Sequence, residues 1–435
     1  MKKTTILILL FISITCIAQE ETLLTQKQQN KIIEKLSDKL LKSYVFEKTA
    51  KEVSSKIKQY QFPRNKKDFA KALNDTIRSI SKDVHFRFFF SPQSYKNITN
   101  TDKKPEVDHR KQIRQKNYGF EKVALLPDNI GYLKINQFHE YDEAFQIAKA
   151  SMEFLQHADS YIIDLKDNGG GSGKMGRFLG SYFFKEGDHR LLLENYNREK
   201  DELVQEWTLV NVPGKRRPNA TLYIIIGKNT GSAAEAFPYF MQANKRATIV
   251  GENSWGGAHS GAFIPIEKDF IAFIPSGRVT SPITKSNWED VGVTPDIKIS
   301  TDLALDFIKK EILVKKSDSL MKEMKKGNLP KEKEELLTWK LNYFNAKTTE
   351  NSAKFSKTLA KSYSKYQVSF KNDNLYFGKK RLIPFSNTIF YAEKGYTREG
   401  DLIIEFDHAI NPTKLFYKVI DWDHGKVTKF ELKAN

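Results

Sequence analysis

The chain has 435 residues, of which 40% are hydrophobic and 29% are charged. This length exceeds what one hydrophobic core usually encloses, and the composition excludes a chain that is mainly disordered. Lysine and arginine outnumber aspartate and glutamate by 71 to 53. Because these charges are scattered and no nucleic-acid-binding motif accompanies them, they indicate a solvated basic surface and no nucleic-acid partner.

The N-terminus has the pattern of an export signal. A short basic start precedes the apolar run 6–14, and Cys16-Ile17-Ala18 provides the small residues of a cleavage site after Ala18. We therefore expect residues 1–18 to be removed and the mature chain to be periplasmic or secreted. The run is too short for a comfortable membrane span, so a permanent anchor is the weaker alternative. A lipoprotein signal at Cys16 is also disfavoured, because residues 13–15 match its small-residue box poorly.

Cysteine usage limits the chemistry of the mature chain. Cys16 is the only cysteine, and signal cleavage would remove it. The mature protein would then have no disulfide, no thiol nucleophile and no thiolate metal site. The sequence suggests no other metal cluster and implies no cofactor.

The first domain predicted in the mature chain, residues 19–90, is helical. Apolar residues recur at helical spacing from Ile32 to Leu41, and further amphipathic runs cover Glu47–Tyr60 and Lys67–Ile80. Residues 91–121 are polar and rich in proline and asparagine, which predicts a linker or an active-site flap.

Residues 122–300 predict an α/β domain, because apolar strands alternate with helices. The predicted strands are Ile130–Ile135, Tyr161–Leu165, Leu222–Ile226, Ala247–Val250 and Phe270–Ile274, and the helices are Asp142–Gln156, Gly173–Phe184 and Ser232–Asn244. After them, residues 301–365 are predicted as a helical segment. Short strands with turn signals then predict a small β domain over residues 366–435.

A glycine run follows the predicted strand 161–165. In Asp167-Asn168-Gly169-Gly170-Gly171-Ser172-Gly173, backbone N–H groups can approach a ligand without hindrance from Cβ atoms. An oxyanion hole and a phosphate cradle both require this. The run has neither the lysine-serine ending of a Walker loop nor the GxGxxG spacing, which argues against a nucleotide site. A plain tight turn is the alternative.

A serine occupies the corresponding place after the predicted strand 222–226. Asn229-Thr230-Gly231-Ser232-Ala233-Ala234-Glu235 places Ser232 at the start of a helix, where N–H groups and the helix dipole favour developing negative charge. Serine is also a preferred N-cap residue, so this position alone favours capping over catalysis.

Two glycine-rich loops with embedded acids complete the pattern, at Gly251–His259 and Trp288–Asp296. In this order the four features resemble the tail-specific (C-terminal processing) peptidase family over residues 122–300. Residues 24–90 also resemble the N-terminal helical region of its branch that contains the tricorn core and interphotoreceptor retinoid-binding protein. Residues 301–435 carry no comparable match.

The resemblance implies a crotonase/Clp-peptidase-like domain of repeated ββα units and acyl transfer from a peptide or polypeptide substrate to serine. Carried over by motif, the nucleophile is Ser232 of the SxxE segment. The backbone N–H groups of Gly170, Gly171 and Ala233 would form the oxyanion hole. The resemblance implies no metal and assigns no oligomeric state.

The chain departs from many members of that family in two respects. Gly257 stands where those members have the lysine that pairs with the serine, so a serine–lysine dyad at that position is excluded. Residues 91–121 are also too few for the PDZ-like domain that would recognise protein tails.

The tricorn-like branch implies a different base. It uses a histidine from the N-terminal helical region and a late glutamate, which correspond here to His85 and Glu289. Val84 replaces the serine that joins the relay in the tricorn core, which leaves the orientation of His85 open. His259 is the rival base.

Two functions from different classes follow. The first is an exported serine peptidase that uses Ser232, His85 and Glu289. The alternative is a catalytically inactive protein that binds an apolar ligand on the same scaffold, because a shared fold does not guarantee shared chemistry.

Overall fold

The protein is described by a computed structural model over several stretches of the chain. These are residues 23–99, 106–327, 329–348, 357–384, 386–397, 400–421 and 426–435. The predicted signal segment 1–18 lies outside them. The described residues divide into two compact units, 23–125 with 131–304, and 126–130 with 305–435. Across the described stretches, no helix combines the length and the hydropathy needed to span a bilayer.

Three helices open the first unit, in agreement with the apolar spacing of its sequence. They are α1 (Gln26–Ser43), α2 (Glu47–Ile57) and α3 (Lys66–Ser81). Thr25 and Asn65 cap α1 and α3 through side-chain oxygens that accept backbone N–H groups of the first turn. One face of each helix is buried, and these faces pack with strand residues in one hydrophobic core.

A short strand, β1 (Arg87–Phe90), follows the helices and begins two residues after His85. The segment predicted as a linker then contains two helices, α4 (Pro92–Thr99) and α5 (Glu106–Gln115). Their sequences are too polar to show a buried face, which is why periodicity did not reveal them.

The α/β region of the first unit contains two sheets. Its elements in chain order are β2 (Phe120–Leu126), β3 (Ile130–Ile135), α6 (Asp142–Phe154), β4 (Ser160–Asp164), α7 (Gly173–Ser181), β5 (Leu191–Asn197), β6 (Glu202–Trp207), β7 (Thr221–Ile226), α8 (Ala233–Ala243), β8 (Thr248–Gly251), β9 (His259–Glu267), β10 (Phe270–Thr280) and β11 (Ile297–Lys298).

The first sheet positions the candidate site. Its strand order is β11-β8-β7-β4-β3-β2, and β4, β7, β8 and β11 are parallel where they pair. β4 and β7 are direct neighbours, with Asp164 opposite Ile225. Because parallel strands end at the same edge of a sheet, the glycine run after β4 and the serine segment after β7 emerge side by side.

The second sheet joins the helical region to the α/β region. Its strand order is β1-β10-β5-β6, with β9 also paired to β10. Phe88 of β1 stacks on Phe270 of β10, with ring centroids 5.7 Å apart, inside the core of the helices. The helical residues and the α/β residues therefore belong to one compact unit.

The second unit consists of helices and an antiparallel sheet. It contains most of α9 (Thr301–Met324), all of α10 (Lys331–Thr348) and eight strands that pair in chain order. The strands are β12 (Ser362–Tyr363), β13 (Tyr366–Lys371), β14 (Asn374–Phe377), β15 (Lys380–Pro384), β16 (Ile389–Thr397), β17 (Gly400–Phe406), β18 (Lys414–Asp421) and β19 (Lys426–Lys433). A bridge between Tyr363 and Ala434 brings the two ends of this meander together. The predicted fold class, α/β with N-terminal helices and a small C-terminal β region, is confirmed.

Candidate active site

Ser232 lies in a strained turn between β7 and α8. Its φ and ψ are 53° and −122°, a conformation that non-glycine residues rarely adopt and that costs about 1–3 kcal/mol. Neighbouring hydrogen bonds hold it in place. The Thr230 hydroxyl donates to the Leu165 carbonyl at 2.8 Å, and the Gly231 N–H donates to the Asn168 carbonyl at 3.0 Å. We call residues 229–235 the serine turn.

Glu235 ties the serine turn to the loop 254–257. Its side chain is fully buried and accepts four hydrogen bonds, from the N–H groups of Ser232, Gly256 and Gly257 and from the Ser254 hydroxyl, at 2.6–2.9 Å. Burial raises the pKa of Glu235, and the four donors oppose that rise by stabilising the carboxylate. The SxxE spacing thus has a structural role, because the glutamate links the serine backbone to the facing loop.

The glycine run packs against the serine turn. Gly170 and Gly171 have φ angles of 109° and 117°. A Cβ atom on Gly170 would lie 2.6 Å from the Gly231 carbonyl oxygen and 2.9 Å from the Ser232 Cβ. No side chain can be accommodated there without displacing the serine turn.

The backbone donors expected of an oxyanion hole differ in availability. The Gly170 N–H donates to the Asn168 side chain at 2.9 Å, so it is occupied, contrary to the expectation from the motif. Within the described residues, no acceptor is bonded to the N–H of Gly171 or of Ala233. The Gly170 Cβ position is 3.3 Å from the Ala233 nitrogen, which brings the glycine run close to this free donor.

His85 lies against the loop 254–257. It is 7% exposed, and its Nδ1 atom is 3.7 Å from a carboxylate oxygen of Glu289. A Cβ atom on Gly257 would lie 2.6 Å from the histidine Nε2. The Nδ1 atom therefore lies near the glutamate. The Cε1–Nε2 edge of the ring lies against the loop that Glu235 binds. A lysine at position 257 would overlap the imidazole, which explains why glycine occupies it.

The Trp255 side chain lies close to both the histidine and the serine turn. Its ring packs edge-on against His85, with centroids 4.9 Å apart. A Cβ atom on Gly231 would lie 3.4 Å from the same indole. The backbone N–H of Trp255 donates to the Thr230 carbonyl at 2.9 Å. The histidine and the serine turn thus both lie against the same tryptophan.

His259, the rival base, lies between two buried carboxylates. Its Nδ1 atom is 3.3 Å from Asp83 and 3.4 Å from Glu289. Asp83 also accepts the Tyr44 hydroxyl at 3.0 Å and the backbone N–H of His85 at 2.8 Å. Burial alone would raise the pKa of Asp83, but the hydrogen bonds and charge of His259 outweigh it and hold this pKa below its usual value.

We call Asp83, His85, His259 and Glu289 the histidine–carboxylate cluster. Sequence reasoning named three of its members but did not select Asp83. The signal was the Asp83-Val84-His85 spacing, which lets the aspartate accept the N–H of the residue two positions later. Ligand-capable atoms of Asp83, His85 and Glu289 lie within 4.8 Å of one another, so these three side chains are the group in the described part of the chain that could hold a metal ion.

The model of one protein family matches this part of the chain. Residues 129–299 match peptidase family S41. This segment, about two fifths of the chain, is therefore similar to an S41 peptidase domain. The matched segment includes the serine turn, the glycine run and Glu289, whereas Asp83 and His85 lie before it.

Curated relatives of this chain are carboxyl-terminal-processing or tail-specific proteases by name. Carboxyl-terminal-processing peptidase 3 of Arabidopsis thaliana is 24% identical, over 44% of this chain and 35% of its own. A carboxyl-terminal-processing protease of Picosynechococcus is 25% identical, over 37% and 38%. The tail-specific protease of Haemophilus influenzae is 29% identical, over 32% and 18%. The chain thus spans little more than a third of the length of the first two.

Solved structures similar to this chain include the photosystem II D1 C-terminal processing protease, with a TM-score of 0.44 and 12% identity over 64% of this chain and 95% of the other. The tricorn protease has a TM-score of 0.35 and 12% identity, over 63% and 35%.

Proposed function

We propose that this chain is a serine-type peptidase that hydrolyses peptide bonds through an acyl-enzyme on Ser232. The observation that carries the proposal is the link between the strained serine and the histidine edge. Glu235 bonds to the backbone of both Ser232 and Gly257, and Gly257 lies against His85. A structural N-cap serine requires neither this strain nor a buried histidine beside the facing loop.

His85 is the base in this proposal, and His259 is a positioning residue. The Nδ1 atom of His259 is committed to Asp83 and Glu289, and its ring packs edge-on against Phe46 with centroids 5.1 Å apart. His85 instead turns Nδ1 towards Glu289 and Nε2 towards the loop beside the serine. A serine–histidine–carboxylate triad likewise directs one imidazole nitrogen to the carboxylate and the other to the serine, which supports the proposal.

The reaction then proceeds in two transfers. The Ser232 oxygen attacks the peptide carbonyl while His85 Nε2 accepts the hydroxyl proton, and Glu289 stabilises the imidazolium. The N–H groups of Ala233 and Gly171 bind the oxyanion. The amine leaves with the proton from His85, and the acyl-enzyme forms. Water then attacks the ester, passes a proton to His85, and releases the acid product as the serine regains its hydrogen.

Covalent labelling tests the nucleophile. A fluorophosphonate should phosphonylate the full mature chain, and mass spectrometry should locate the adduct on Ser232. The Ser232→Ala variant should remain unlabelled while keeping its unfolding temperature. An adduct on another residue, or equal labelling of the variant, would refute the assignment. Complete absence of labelling in the wild type would favour the alternative, a protein that only binds an apolar ligand.

Export is a separate part of the proposal and rests on residues 1–18. We propose that this segment directs the chain out of the cytoplasm and is cleaved after Ala18. N-terminal sequencing of exported protein should begin at Gln19. A protein that retains Met1, or one that carries a lipid on Cys16, would contradict it.

A further inference from the structure

A pocket of about 370 Å³ opens beside the histidine–carboxylate cluster. Two arginines line it, Arg78 from α3 and Arg87 from β1, together with the aromatic side chains of Phe89 and Trp255. We call it the arginine pocket. The proposed reaction assigns it no role, although Trp255, one of its walls, also packs against His85.

The pocket is held by regular structure. In β1, alternation sends Phe88 into the core, and therefore leaves Arg87 and Phe89 on the opposite face. Asn74 and Arg78 are one helical turn apart on α3 and face this strand. The Asn74 side chain accepts the Phe88 N–H at 2.8 Å, which fixes the helix against the strand. The two guanidinium groups are thus carried by a helix and a strand that are bonded to each other.

The two arginines lack an acidic partner. Among the described residues, no carboxylate lies within 4.0 Å of Arg78 or Arg87, whereas Asp75, one turn earlier on α3, is paired with Lys71 at 2.7 Å. The Arg87 guanidinium lies 5.9 Å from the centre of the Trp255 ring. Two guanidinium groups without a direct ion pair, beside aromatic walls, form a site for a planar anion, because a guanidinium matches a carboxylate through paired N–H donors.

We propose that the arginine pocket binds a carboxylate of the polypeptide substrate. This inference rests on the proposed peptidase function, because Trp255 places an occupant of the pocket next to the base and the serine turn. The carboxylate has two possible sources, an acidic side chain and the chain's own C-terminus. The two sources share one chemistry, and matched peptides distinguish them.

Binding to an inactive enzyme tests the pocket independently of catalysis. The mature Ser232→Ala protein is titrated by calorimetry with three versions of one glutamate-containing peptide: the parent, a glutamine version, and a C-terminally amidated version. The parent should bind about tenfold more tightly than the version that lacks the recognised carboxylate. Loss of affinity on amidation identifies the C-terminus, and loss in the glutamine peptide identifies the side chain.

Arginine variants connect this preference to the pocket. In the same background, the Arg78→Gln/Arg87→Gln double variant should bind the parent peptide and the version without the recognised carboxylate with about equal affinity. Arg87→Lys should retain only part of the tenfold preference. Arg114→Gln is the matched control, because it removes a charge from an exposed position of α5 that does not line the pocket. It should leave the tenfold ratio intact. Thermal unfolding should show that all variants are folded, since Arg78 and Arg87 are exposed.

Three results would overturn the inference: no binding of the acidic peptides, a preference that survives the double variant, or an equal loss in Arg114→Gln. The last would mean that the general positive charge of the chain attracts the peptides. Failure of the inference about the arginine pocket is distinguishable from failure of the proposed function. If Ser232 is labelled but the preference ignores the arginines, only the pocket is refuted. If Ser232 is never labelled but the preference depends on the arginines, only the peptidase is refuted.

Discussion

The serine turn and the histidine–carboxylate cluster are the two sides of the candidate site, and they are built differently although both adjoin the loop 254–257. The serine turn uses backbone geometry: a strained serine, glycines with positive φ, and one buried acid that accepts neutral donors. The cluster uses charge, with two carboxylates and two imidazoles packed together out of solvent. The first side therefore depends on shape and the second on electrostatic balance.

The two sides therefore tolerate different substitutions. A turn held by close backbone contacts is disrupted when a larger side chain is introduced, because protein interiors have little free space. A cluster of buried charges fails when one partner is removed, because the remaining charge is left uncompensated.

The largest expected loss of activity follows substitution of the base, His85. His85→Ala should lower kcat/KM by about 10⁴-fold or more, because it removes the group that accepts the serine proton. His259→Ala should lower it much less, since that residue acts through Glu289 and Asp83. Peptide hydrolysis by both variants, with circular dichroism to verify folding, measures the difference. A larger loss in His259→Ala would make His259 the base and reverse the proposed roles.

The next effect concerns the acid of the serine turn. Glu235→Gln keeps the volume but presents an amide to four donors, so one or more buried N–H groups lose their acceptor. We expect kcat to fall by about 10²-fold and unfolding free energy by about 1–3 kcal/mol. Urea denaturation and steady-state kinetics measure the two effects. Glu186→Gln, at an exposed turn, is the control and should change neither.

Added volume at the loop should affect activity through His85. Gly257→Ala would place a Cβ atom 2.5 Å from the Trp255 ring and 2.6 Å from His85 Nε2, so the imidazole must move. A displacement of this kind should cost about 10²-fold in kcat. Gly173→Ala is the matched control, because a Cβ atom there meets nothing within 4 Å. Equal activity in the two variants would show that His85 does not require its observed position.

The two sides also differ in how far the sequence predicts them. Strand–turn–helix patterns are local, so Ser232, the glycine run and the α/β alternation follow from short segments, and the fold class and family are confirmed. The cluster brings residue 83 together with residues 259 and 289, and no local pattern encodes that proximity. The sequence patterns also did not predict β1, β2, β5, β6, β9 or β11. The exposed side chains of β6 give no apolar run, and it is recognised only by its pairing with β5.

The smallest predicted effect is the pH dependence of stability, where the two sides should have opposite slopes. Burial raises the pKa of Glu235 above 4.5 in the folded chain, so between 4.5 and that raised value the folded state binds more protons than the unfolded state. Stability contributed by this group therefore decreases as pH rises through that window. Hydrogen bonding to His259 holds the pKa of Asp83 below 3.8, so its contribution is present above 3.8 and is lost as pH falls towards the folded-state value.

Two variants separate these contributions. Urea denaturation of the wild type, Asp83→Asn and Glu235→Gln across the acidic range gives the free energy of unfolding at each pH. Asp83→Asn should flatten the dependence below pH 3.8, where the wild type loses the carboxylate that His259 and Tyr44 stabilise. Glu235→Gln should flatten it above pH 4.5, where the wild type must ionise a buried acid. If both variants flatten the same part of the curve of unfolding free energy against pH, the two acids share one environment. The contrast between the two sides would then be wrong.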